Sequence, residues 1–378
     1  MLSYLTAGES HGKCLIALIE GFPAGLKIDI GSIERDLVLR SRTHGRSARQ
    51  EKEKNTTQIL SGLRRGLTIG SPIVIQIDNA YPDIDELEPS SVPRPGHAEF
   101  AGAVKYSTHD VRDISQRASA RETAARVAAG SLTKQLLKEF AIDVLGYVIQ
   151  IGKVKAKGPA LDSTESARRM RDASPVHTLD LSAGRRMVGA IDSARDSGDS
   201  VGGVVEVVAR EVPPGLGSHT QWTRKLDARI AAAIMSVQAV KGVEFGAGFA
   251  GASLRGSQYV DEMRIGDGAV IRESNNAGGI EGGISNGEDI LVRCAVKPVP
   301  TTKKSAQSVN LITGENARAR DERSDICAVP AAALICECVL SFEVAGAFCE
   351  KFGSDSLQEM RSNWHNHLQA IKEFWKKV

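Results

Sequence analysis

Two histidines lie in glycine-flanked turns, where their side chains could carry out proton transfer. His11 follows Ser10 in the segment GESHG at residues 8–12, and His97 follows a Pro-Gly pair. Imidazole titrates near neutral pH and can pass a proton in either direction. A lone histidine is more often structural, so two in tight turns leave a structural and a catalytic role equally open. Neighbouring residues in a turn rarely aim their side chains at each other, which argues against a serine hydrolase.

Arginines crowd one early segment that has little apolar content. The planar guanidinium group donates hydrogen bonds in pairs, which suits phosphates and carboxylates. The net charge of the whole chain is only +2, so an anion would be bound by this local cluster and not by the overall charge. A solvated charged surface is the alternative interpretation. The five arginines are Arg35, Arg40, Arg42, Arg46 and Arg49.

A glycine-rich segment at residues 276–287 predicts a binding loop. Glycine costs backbone entropy on folding and is useful where the backbone approaches a ligand or takes positive φ. Another segment, GAGFAG at 246–251, fits GxGxxG, but a dinucleotide site needs a helix directly after it. The sequence at 252–257 does not predict a helix, so we assign no dinucleotide site there.

The composition is that of a globular protein, with 42% hydrophobic and 25% charged residues. The nearly balanced charge is unlike that of a generic nucleic-acid binder. No apolar stretch reaches about 18 residues without a charge, so we expect no transmembrane helix, and the first residues do not predict a secretory signal. The six cysteines include no CxxC pair, which predicts buried free thiols, no metal site and a reducing, cytoplasmic location.

An internal repeat relates two parts of the chain. GESHGKCLIALIEGFPAGL at residues 8–26 aligns without gaps with GDSVGGVVEVVAREVPPGL at residues 198–216. The alignment has six identities, where average composition gives about one. Both copies predict a glycine turn, a β-branched strand and a Pro-x-Gly turn. Coincidence among glycine turns is the alternative interpretation.

The repeat predicts the domain organisation. We expect a single catalytic domain at residues 1–350, made of similar halves at about 1–154 and 198–350 that a segment at 155–197 joins. Residues 351–378 carry apolar side chains at helical spacing, which predicts a terminal amphipathic helix. Strands and helices do not alternate regularly, and this favours an α+β fold over a doubly wound parallel sheet.

Further matches extend the repeat at a second offset. Gly62, Gly70 and Ser71 align with Gly248, Gly256 and Ser257, and Gly96 aligns with Gly282. Arg117-Ala118-Ser119 before one Ala-rich helix parallels Arg323-Ser324-Asp325 before another. We therefore expect the same kinds of turn in both halves.

Local patterns predict several helices and strands. Ser119 and Glu122 form a capping box that opens an Ala-rich helix. Further helices are predicted at 226–240 and, from a proline in the first turn, at 330–348. Strands of β-branched character are predicted near 14–20, 72–78, 144–151, 203–210 and 290–296.

Six segments together resemble chorismate synthase. They occur in the order of that family, from the start of the chain to about residue 345, and each is long or unusual. The segments are GESHG at 8–12, RPGHA at 94–98, RASARETAARVAAG at 117–130, GDSVGG at 198–203, GGIEGGISNG at 278–287 and RSD at 323–325.

The resemblance implies a reaction, a cofactor and a fold. Chorismate synthases use reduced FMN to convert 5-enolpyruvylshikimate-3-phosphate into chorismate and phosphate, a 1,4-anti elimination without net redox change. FAD and NADP are also associated with the family, and NADPH would supply reducing equivalents either directly or through a separate flavin reductase. The implied fold is a layered β-α-β sandwich with internal pseudo-symmetry. The implied assembly is a cytoplasmic homotetramer with no nucleic-acid or membrane partner.

The resemblance also assigns site residues. His11 would protonate the leaving phosphate, and His97 would protonate or stabilise the anionic reduced flavin. Asp325 would be the base near flavin N5, with Ser10 and Ser119 as relays. The implied flavin and NADP contacts are Arg40, Arg46, Arg117, Ala118, Ser119, Gln238, Ala239, Gly282, Lys297, Pro298, Val299, Pro300, Thr301 and Arg323. The implied substrate contacts are Arg46, Arg49 and Arg121.

Three positions depart from the family pattern. Glu99 stands where aspartate is frequent, Gln116 where glutamate is frequent, and Ile326 where Pro, Ser or Val is usual. The first two leave the chemistry intact, and the third changes the residue that follows the predicted base. Two function classes are the alternatives to the lyase: a nicotinamide oxidoreductase, and a non-enzymatic anion- or RNA-binding module that uses residues 35–49.

Overall fold

The computed structural model describes residues 1–47, 56–157, 163–266, 269–304, 306–320 and 324–376. Two predicted site residues, Arg49 and Arg323, lie outside these ranges. In chain order the described strands are β1 (Ser3–Ala7), β2 (Cys14–Glu20), β3 (Thr57–Ser61), β4 (Leu63–Arg64), β5 (Leu67–Thr68), β6 (Ile73–Asp78), β7 (Asp143–Ile151), β8 (Val154–Lys155), β9 (Gly203–Arg210), β10 (Val240–Phe245), β11 (Met263–Gly266), β12 (Ala269–Arg272), β13 (Ile280–Glu281), β14 (Ile284–Ser285), β15 (Ile290–Val296), β16 (Gln307–Val309) and β17 (Asn316–Arg318). The described α-helices are α1 (Ile30–Ser41), α2 (Glu99–Tyr106), α3 (Val111–Ala118), α4 (Thr123–Lys138), α5 (Thr164–Ala173), α6 (Leu181–Asp196), α7 (Leu226–Met235), α8 (Gly248–Gly251), α9 (Gly256–Tyr259), α10 (Val329–Phe352) and α11 (Leu357–Lys376).

Two antiparallel sheets form the outer layers of the fold. The first has the strand order β1-β2-β6-β3, and the second has the order β10-β15-β9-β7-β8. Apart from the short β8, the second sheet repeats the topology of the first, because β7, β9, β15 and β10 take the places of β1, β2, β6 and β3. The five predicted strands are confirmed, each within one residue of its predicted ends.

The repeated Pro-x-Gly turns match at the level of single hydrogen bonds. In the first half the hydroxyl of Thr68 donates to the carbonyl of Pro23 at 2.6 Å and accepts from the amide of Leu26 at 2.9 Å. In the second half Ser285 makes the same two bonds to the other copy of the turn, at 2.6 and 2.8 Å. The alignment of 8–26 with 198–216 therefore describes a real structural repeat.

In the second set of predicted matches, those of Gly70 and Ser71 with Gly256 and Ser257 and of Gly96 with Gly282 are wrong. Because Thr68 corresponds to Ser285, Gly70 corresponds to Gly287 and not to Gly256. Gly282 lies in the turn of the β13–β14 hairpin, so it is not the counterpart of Gly96. The positions of glycines in the sequence do not by themselves show which hairpin a turn belongs to.

The predicted boundary between the halves also moves. Strand β7 pairs with β9 along its length, so it belongs to the second sheet, and the first half ends before residue 143 and not at 154. Helices α5 and α6 are inserted between β8 and β9. The predicted helix at 226–240 stops at Met235, because β10 begins at Val240 and pairs with β15. The division into one catalytic domain at 1–350 and a terminal helix stays a prediction.

Helices α4 and α10 pack against each other between the sheets. A Cβ on Gly130 of α4 would lie 2.3 Å from the carbonyl oxygen of Cys338 on α10. A Cβ on Gly146 of β7 would lie 2.2 Å from the carbonyl oxygen of Ala333 on α10. Glycine is required at both positions, since the backbones themselves are in contact. The expected α+β fold with β-α-β layering is confirmed.

Helix α10 is long and apolar enough to cross a membrane by length and composition, but 94% of its most apolar window is buried inside the fold. Its apolar side chains form the core between the two sheets. Five of the six cysteines are buried, and all six are free thiols.

Helix α11 follows α10 and packs on its last turns. Trp364 contacts the rings of Phe348 and Phe352 at centroid distances of 5.6 and 5.3 Å. Phe140, just after α4, joins this aromatic cluster. The cluster fixes the terminal helix at the end of α10 that is opposite to its N-terminus.

Glu337 is a fully buried carboxylate in the middle of α10. Its oxygens accept hydrogen bonds from Lys134, from Arg171 at 2.6 Å and from the amide of Gly146 at 2.8 Å. Arg168 lies 3.3 Å away. Burial alone would raise the pKa of Glu337, but its three cationic partners outweigh this and hold the pKa well below its usual range. The cluster ties the inserted helix α5 to both central helices.

We expect Glu337→Gln to lower the free energy of unfolding by about 3–5 kcal/mol, because it leaves buried cations without a counter-charge. Urea denaturation followed by circular dichroism measures the loss. Glu350→Gln is a matched control on the same helix, since Glu350 forms a partly exposed pair with Arg229 and its loss should cost about 1 kcal/mol or less. Equal losses in the two variants would contradict this account.

The buried His177 should make the free energy of unfolding depend on pH. Its Nδ1 donates to the carbonyl of Pro330 at 3.0 Å, at the start of α10. Burial lowers the pKa of His177 to about 4, and the charge of Arg171 adds to the shift. Below pH 6.5 the unfolded chain binds a proton that the folded chain rejects. The free energy of unfolding should therefore fall by about 1.4 kcal/mol per pH unit as the pH drops from 6.5 towards 4.

His177→Asn should flatten this fall while keeping the backbone, because asparagine tolerates the positive φ of 53° at the position. Urea midpoints of the wild type and the variant, measured at several pH values, give the two slopes. Identical slopes would show that another group controls the acid limb.

Candidate active site

A cavity of about 430 Å³ lies where the two halves meet. It is lined by the turn before β2, helix α3, the start of α4, the turn before β10, the segment after β15 and the start of α10. Its volume is typical of small-molecule and cofactor sites. Both central helices therefore begin at this cavity.

The turn between β1 and β2 places Ser10 and His11 in the cavity. Gly8 opens the turn with a φ of 101°, and a Cβ there would come within 2.2 Å of the backbone across the turn. The side-chain amide of Asn79 donates to two backbone carbonyls of the turn, at 3.0 and 2.7 Å. The conformation of the turn thus depends on Gly8 within it and on the hydrogen bonds that Asn79 donates to it.

Helix α3 supplies a second support for this turn. The backbone carbonyl of Gln116 accepts from the amide of Ser10 at 3.1 Å. The side-chain Oε1 of Gln116 lies 3.0 Å from the amide nitrogen of His11 and 2.9 Å from its ring Nδ1. One residue of α3 therefore orients both residues of the turn.

The letters of GESHG and GDSVG both fit the nucleophile pattern GxSxG. That pattern needs the serine on a sharp turn from a strand into a helix. Here the first turn joins two antiparallel strands, and the second leads from α6 into β9. The strand–turn–strand setting of Ser10 excludes a nucleophile elbow.

The repeated turn of the second half supports the cavity in a different way. The hydroxyl of Ser200 donates to the carbonyl of Val299 at 2.6 Å, and the amide of Val201 donates to the carbonyl of Ile326 at 2.9 Å. These bonds hold the segment after β15 and the segment before α10, which place Val299 and Asp325 at the cavity. The first copy supplies side chains to the site, and the second copy positions its backbone.

Ser119 lines the cavity and caps the turn that leads into α4, where its hydroxyl accepts from the amide of Arg121 at 3.3 Å. The second half of the predicted capping box is wrong. The carboxylate of Glu122 instead accepts from the hydroxyl of Thr6 at 2.7 Å and from the side-chain amide of Gln238 at 3.2 Å. Glu122 therefore connects β1 to the turn before β10.

Arg40 and Arg121 are buried and line the cavity. The guanidinium of Arg40 donates to the hydroxyl of Thr123 at 3.0 Å and to the carbonyl of Ala120 at 3.0 Å. The guanidinium of Arg121 donates to Asn79 Oδ1 at 2.9 Å. Both arginines brace the start of α4 or the β1–β2 turn while they bring positive charge to the cavity.

Arg46 and Asp325 form an ion pair at the cavity, with 2.5 Å between Nη1 and Oδ2. The amide of Ser47 donates to Asp325 Oδ1 at 2.8 Å. The side chain of Arg46 is only 5% exposed, and its Nε has no hydrogen-bond partner among the described residues. A buried N–H without a partner is costly, which marks a place for an acceptor from a ligand.

His97 lies in the turn before α2 and also lines the cavity. Its Nδ1 is 3.5 Å from Glu99 Oε1, and Glu99 is held by the amide and the guanidinium of Arg94. The ammonium of Lys297 donates to the carbonyl of Gly96 at 2.9 Å and fixes the same turn. Burial lowers the pKa of Lys297 from its usual value.

The turn between α7 and β10 brings Gln238 and Ala239 to the cavity. Ala239 has a φ of 71°, a conformation that residues other than glycine rarely adopt, and its carbonyl accepts from the amide of Lys297 at 2.9 Å. Gln238 Oε1 is buried and has no hydrogen-bond partner among the described residues. It is an acceptor that faces a ligand site.

Cationic side chains outnumber carboxylates in the described lining of the cavity. Asp325 is the one carboxylate there, and the N-terminus of α10 adds the positive end of a helix dipole. Such a site favours a small ligand with several negative charges. The cationic residues are Arg40, Arg46, Arg94, Arg112, Arg121 and Lys297.

The structure brings most predicted site residues together. Arg117 does not line the cavity, since its guanidinium donates to the carbonyl of Thr6 at 2.7 Å. Gly282 lies in the β13–β14 turn, and neither it nor Pro298 lines the cavity. The predicted residues that do line it are Ser10, His11, Arg40, Arg46, His97, Ala118, Ser119, Arg121, Gln238, Ala239, Lys297, Val299, Pro300, Thr301 and Asp325.

The sequence reasoning missed several lining residues. Arg94 belongs to the RPGHA motif and could have been found there. Arg112 lies one helical turn before Gln116 on α3, a spacing that becomes informative only once the contact between Gln116 and His11 is known. The missed polar residues are Ser47, Arg94, Arg112, Ser115, Gln116, Thr123 and Ser324.

Two alternative functions lose their support. The segment 246–251 does not line the cavity, and the helix that follows β10 has only four residues. The arginine cluster is not one solvated surface, because Arg40 is buried and the side chain of Arg46 is only 5% exposed, while Arg35 is exposed and pairs with Asp29.

Comparison with known proteins finds one enzyme family over nearly the whole chain. The family model described as "Chorismate synthase" matches residues 2–349. The chorismate synthase of Desulforudis audaxviator (strain MP104C) is 50% identical over 385 residues, which cover 98% of each chain. That of Geobacter sulfurreducens (strain ATCC 51573 / DSM 12127 / PCA) is 50% identical over 394 residues, which cover 99% of this chain and 100% of that one. A crystal structure of chorismate synthase is similar with a TM-score of 0.81 and 38% identity, covering 98% of both chains.

With that agreement over nearly its whole length, and with residues of four of the six motif segments gathered in one cationic cavity, this chain belongs to the chorismate synthase family of carbon–oxygen lyases, which catalyse the last step of the shikimate pathway.

Proposed function

We propose that the described cavity is where this chain converts 5-enolpyruvylshikimate-3-phosphate into chorismate and phosphate in the presence of bound reduced FMN. The observation that carries the proposal is that His11, His97 and Asp325 meet in one cavity with an excess of cationic side chains. A substrate with one phosphate and two carboxylates requires that excess of charge. An elimination with loss of phosphate also requires groups that can move protons.

The arrangement of the arginines supports an anionic substrate. Arg46 has a buried Nε without a partner among the described residues, so a phosphate or carboxylate oxygen would complete its hydrogen bonding. Arg121 and Arg40 are held rigidly by the protein, which lowers the entropy cost of presenting their charge to a ligand. We assign all three to the substrate end of the cavity.

Gln238 supports a flavin at the other end. Its buried Oε1 needs a donor, and the isoalloxazine ring of a flavin carries an N–H group that fits this need. Ala239, Lys297 and Thr301 line the cavity beside it. When bound, reduced FMN would supply electron density as the phosphate leaves and recover it when the C6 hydrogen is lost.

Proton transfers are assigned to the side chains at the cavity. His11 would donate to the leaving phosphate, and Asp325, oriented by Arg46 and the amide of Ser47, would accept the substrate proton. Ser10 and Ser119 would relay protons beside them. His97, with Glu99 at its Nδ1, would be the cation next to the flavin.

The supply of electrons and the assembly belong to the same proposal. NADPH would be the source of reducing equivalents, either through this chain or through a separate flavin reductase. The chain would work in the cytoplasm as a homotetramer. Exposed apolar side chains on α8 and β11 support self-association: Phe249 is 82%, Met263 65% and Ile265 66% exposed.

An anaerobic assay tests the proposal. The chain is mixed with dithionite-reduced FMN and 5-enolpyruvylshikimate-3-phosphate, and chorismate and inorganic phosphate are measured. We expect both products in equal amounts, and no turnover with oxidised FMN. Release of phosphate without chorismate would overturn the proposed reaction.

His11→Ala should leave the fold intact and lower kcat by roughly two to four powers of ten, the usual range for a lost general acid. The same anaerobic assay measures kcat, and circular dichroism checks the fold. His365→Ala, on the exposed face of α11, is the control and should retain wild-type activity. Turnover near the wild-type value in His11→Ala would remove His11 from the mechanism.

A further inference from the structure

Gln116 contacts both Ser10 and His11, although the proposed reaction assigns it no role. It is 6% exposed and lies in the last turns of α3. Its carbonyl holds the amide of Ser10, and its Oε1 is within hydrogen-bond distance of both the amide and the ring Nδ1 of His11. Three contacts from one residue converge on the turn that carries the proposed acid.

These contacts determine which ring nitrogen of His11 carries the proton. A backbone amide is always a donor, so the side-chain atom of Gln116 that faces it, at 3.0 Å, must be the oxygen. An oxygen cannot donate, so the Nδ1 of His11 at 2.9 Å must be the donor in that contact. The neutral imidazole is therefore the Nδ1–H tautomer, and its Nε2 has the lone pair.

We propose that Gln116 is a positioning residue that fixes His11 as the Nδ1–H tautomer, so that Nε2 is the ring atom that exchanges a proton in the cavity. The inference rests on the proposed role of His11 as the acid for the leaving phosphate. It adds which atom of His11 acts and which residue selects that atom. A general acid whose tautomer and orientation are set in advance needs no rearrangement before it reacts.

Gln116 is a neutral partner for the ring of His11. The amide of Gln116 is neutral, so it orients the imidazolium without adding a full negative charge beside it. On this proposal the glutamine at position 116, which stands where the family often has glutamate, affects the chemistry, contrary to the expectation from the sequence.

Other charges also act on His11. Glu9 and Lys13 lie on the same turn, and Asp83 lies beside Ile84, whose amide donates to the carbonyl of His11. The charged and titratable groups that line the same cavity are Arg40, Arg46, Arg94, His97, Arg112, Arg121, Lys297 and Asp325. A substitution at Gln116 leaves this whole set unchanged, so it isolates the effect of the partner of Nδ1.

Gln116→Glu is the first test, because it keeps the shape of the side chain and adds a negative charge at Nδ1. That charge stabilises the imidazolium and raises the pKa of His11. The acid form would then persist to higher pH, so the limb on which kcat falls with rising pH should move up by about one pH unit or more. Gln58→Glu adds the same charge on an exposed strand and should leave the profile unchanged. The proposal would be overturned if the kcat profile and the titration of the His11 resonances in Gln116→Glu both coincide with those of the wild type.

Gln116→Met is the second test, since it keeps the length of the side chain but cannot fix Nδ1–H as an oxygen does. We expect kcat to fall by roughly tenfold or more, with KM changed little, because the tautomer and orientation of His11 are no longer selected. Circular dichroism and the urea midpoint confirm that the variant folds. A kcat equal to that of the wild type would overturn the proposal.

Nuclear magnetic resonance of ¹⁵N-histidine-labelled protein reads the tautomer without any assay of activity. The signals of His11 are those absent from a His11→Gln variant. We expect a protonated Nδ1 and an unprotonated Nε2 in the neutral ring of the wild type, and a mixture of tautomers in Gln116→Met. The opposite tautomer in the wild type would overturn the proposal. If the resonances of His11 titrate at higher pH in Gln116→Glu while kcat does not follow, the positioning role is supported and the acid role of His11 fails.

Discussion

The packing of α4 against α10 between two sheets is the constraint on which the rest of the structure depends. Both helices run away from the cavity, so their first residues define one of its sides. The backbones touch at Gly130, and the buried carboxylate of Glu337 ties both helices and the inserted α5 together. A close-packed interior of this kind deforms little, so residues placed at the helix starts keep their spacing. Ser119 before α4 and Asp325 before α10 are therefore held at fixed positions at the cavity.

The two halves share one backbone scaffold, but their equivalent glycine turns have different roles. The same glycine turn precedes β2 and β9, and the same hydroxyl bridge, through Thr68 or Ser285, closes the Pro-x-Gly turn that follows. In the first half the turn presents His11 to the cavity. In the second half Val201 occupies the equivalent position, and the turn binds the backbone of neighbouring segments. The proposed chemistry is therefore on the first copy of the turn, while the second copy holds backbone segments that line the cavity.

The arginines of the cavity have partners within the protein that accept hydrogen bonds from them. Arg40 and Arg121 donate to backbone or side-chain oxygens, Arg94 pairs with Glu99, and Arg46 pairs with Asp325. Each partner compensates part of the desolvation cost of a guanidinium that is largely removed from water. The Nε of Arg46 has no hydrogen-bond partner among the described residues. The side chains that brace the structure are thus the same ones that we propose bind the ligand.

The sequence by itself determined what depends on local pattern. Alternating β-branched residues located five strands, and glycines that need positive φ located the turn of His11, because backbone conformation at such positions follows from the residue type. The motifs, through the family resemblance, named most residues of the cavity. Only the tertiary structure decided that β7 belongs to the second sheet and that Gly287, not Gly256, corresponds to Gly70. The pairing of strands that are distant in sequence produces no local sequence pattern, so it could not be predicted from the sequence.

The tertiary structure also decided which residues are the partners of the proposed catalytic groups. Gln116 reaches His11 across 105 positions, and Arg46 reaches Asp325 across 279. Neither contact has a periodicity or a motif of its own, because each is formed only when α3, α10 and the β1–β2 turn are brought together by the core. The sequence therefore determined which residues could do chemistry, while the fold determined which atom of each residue faces the ligand.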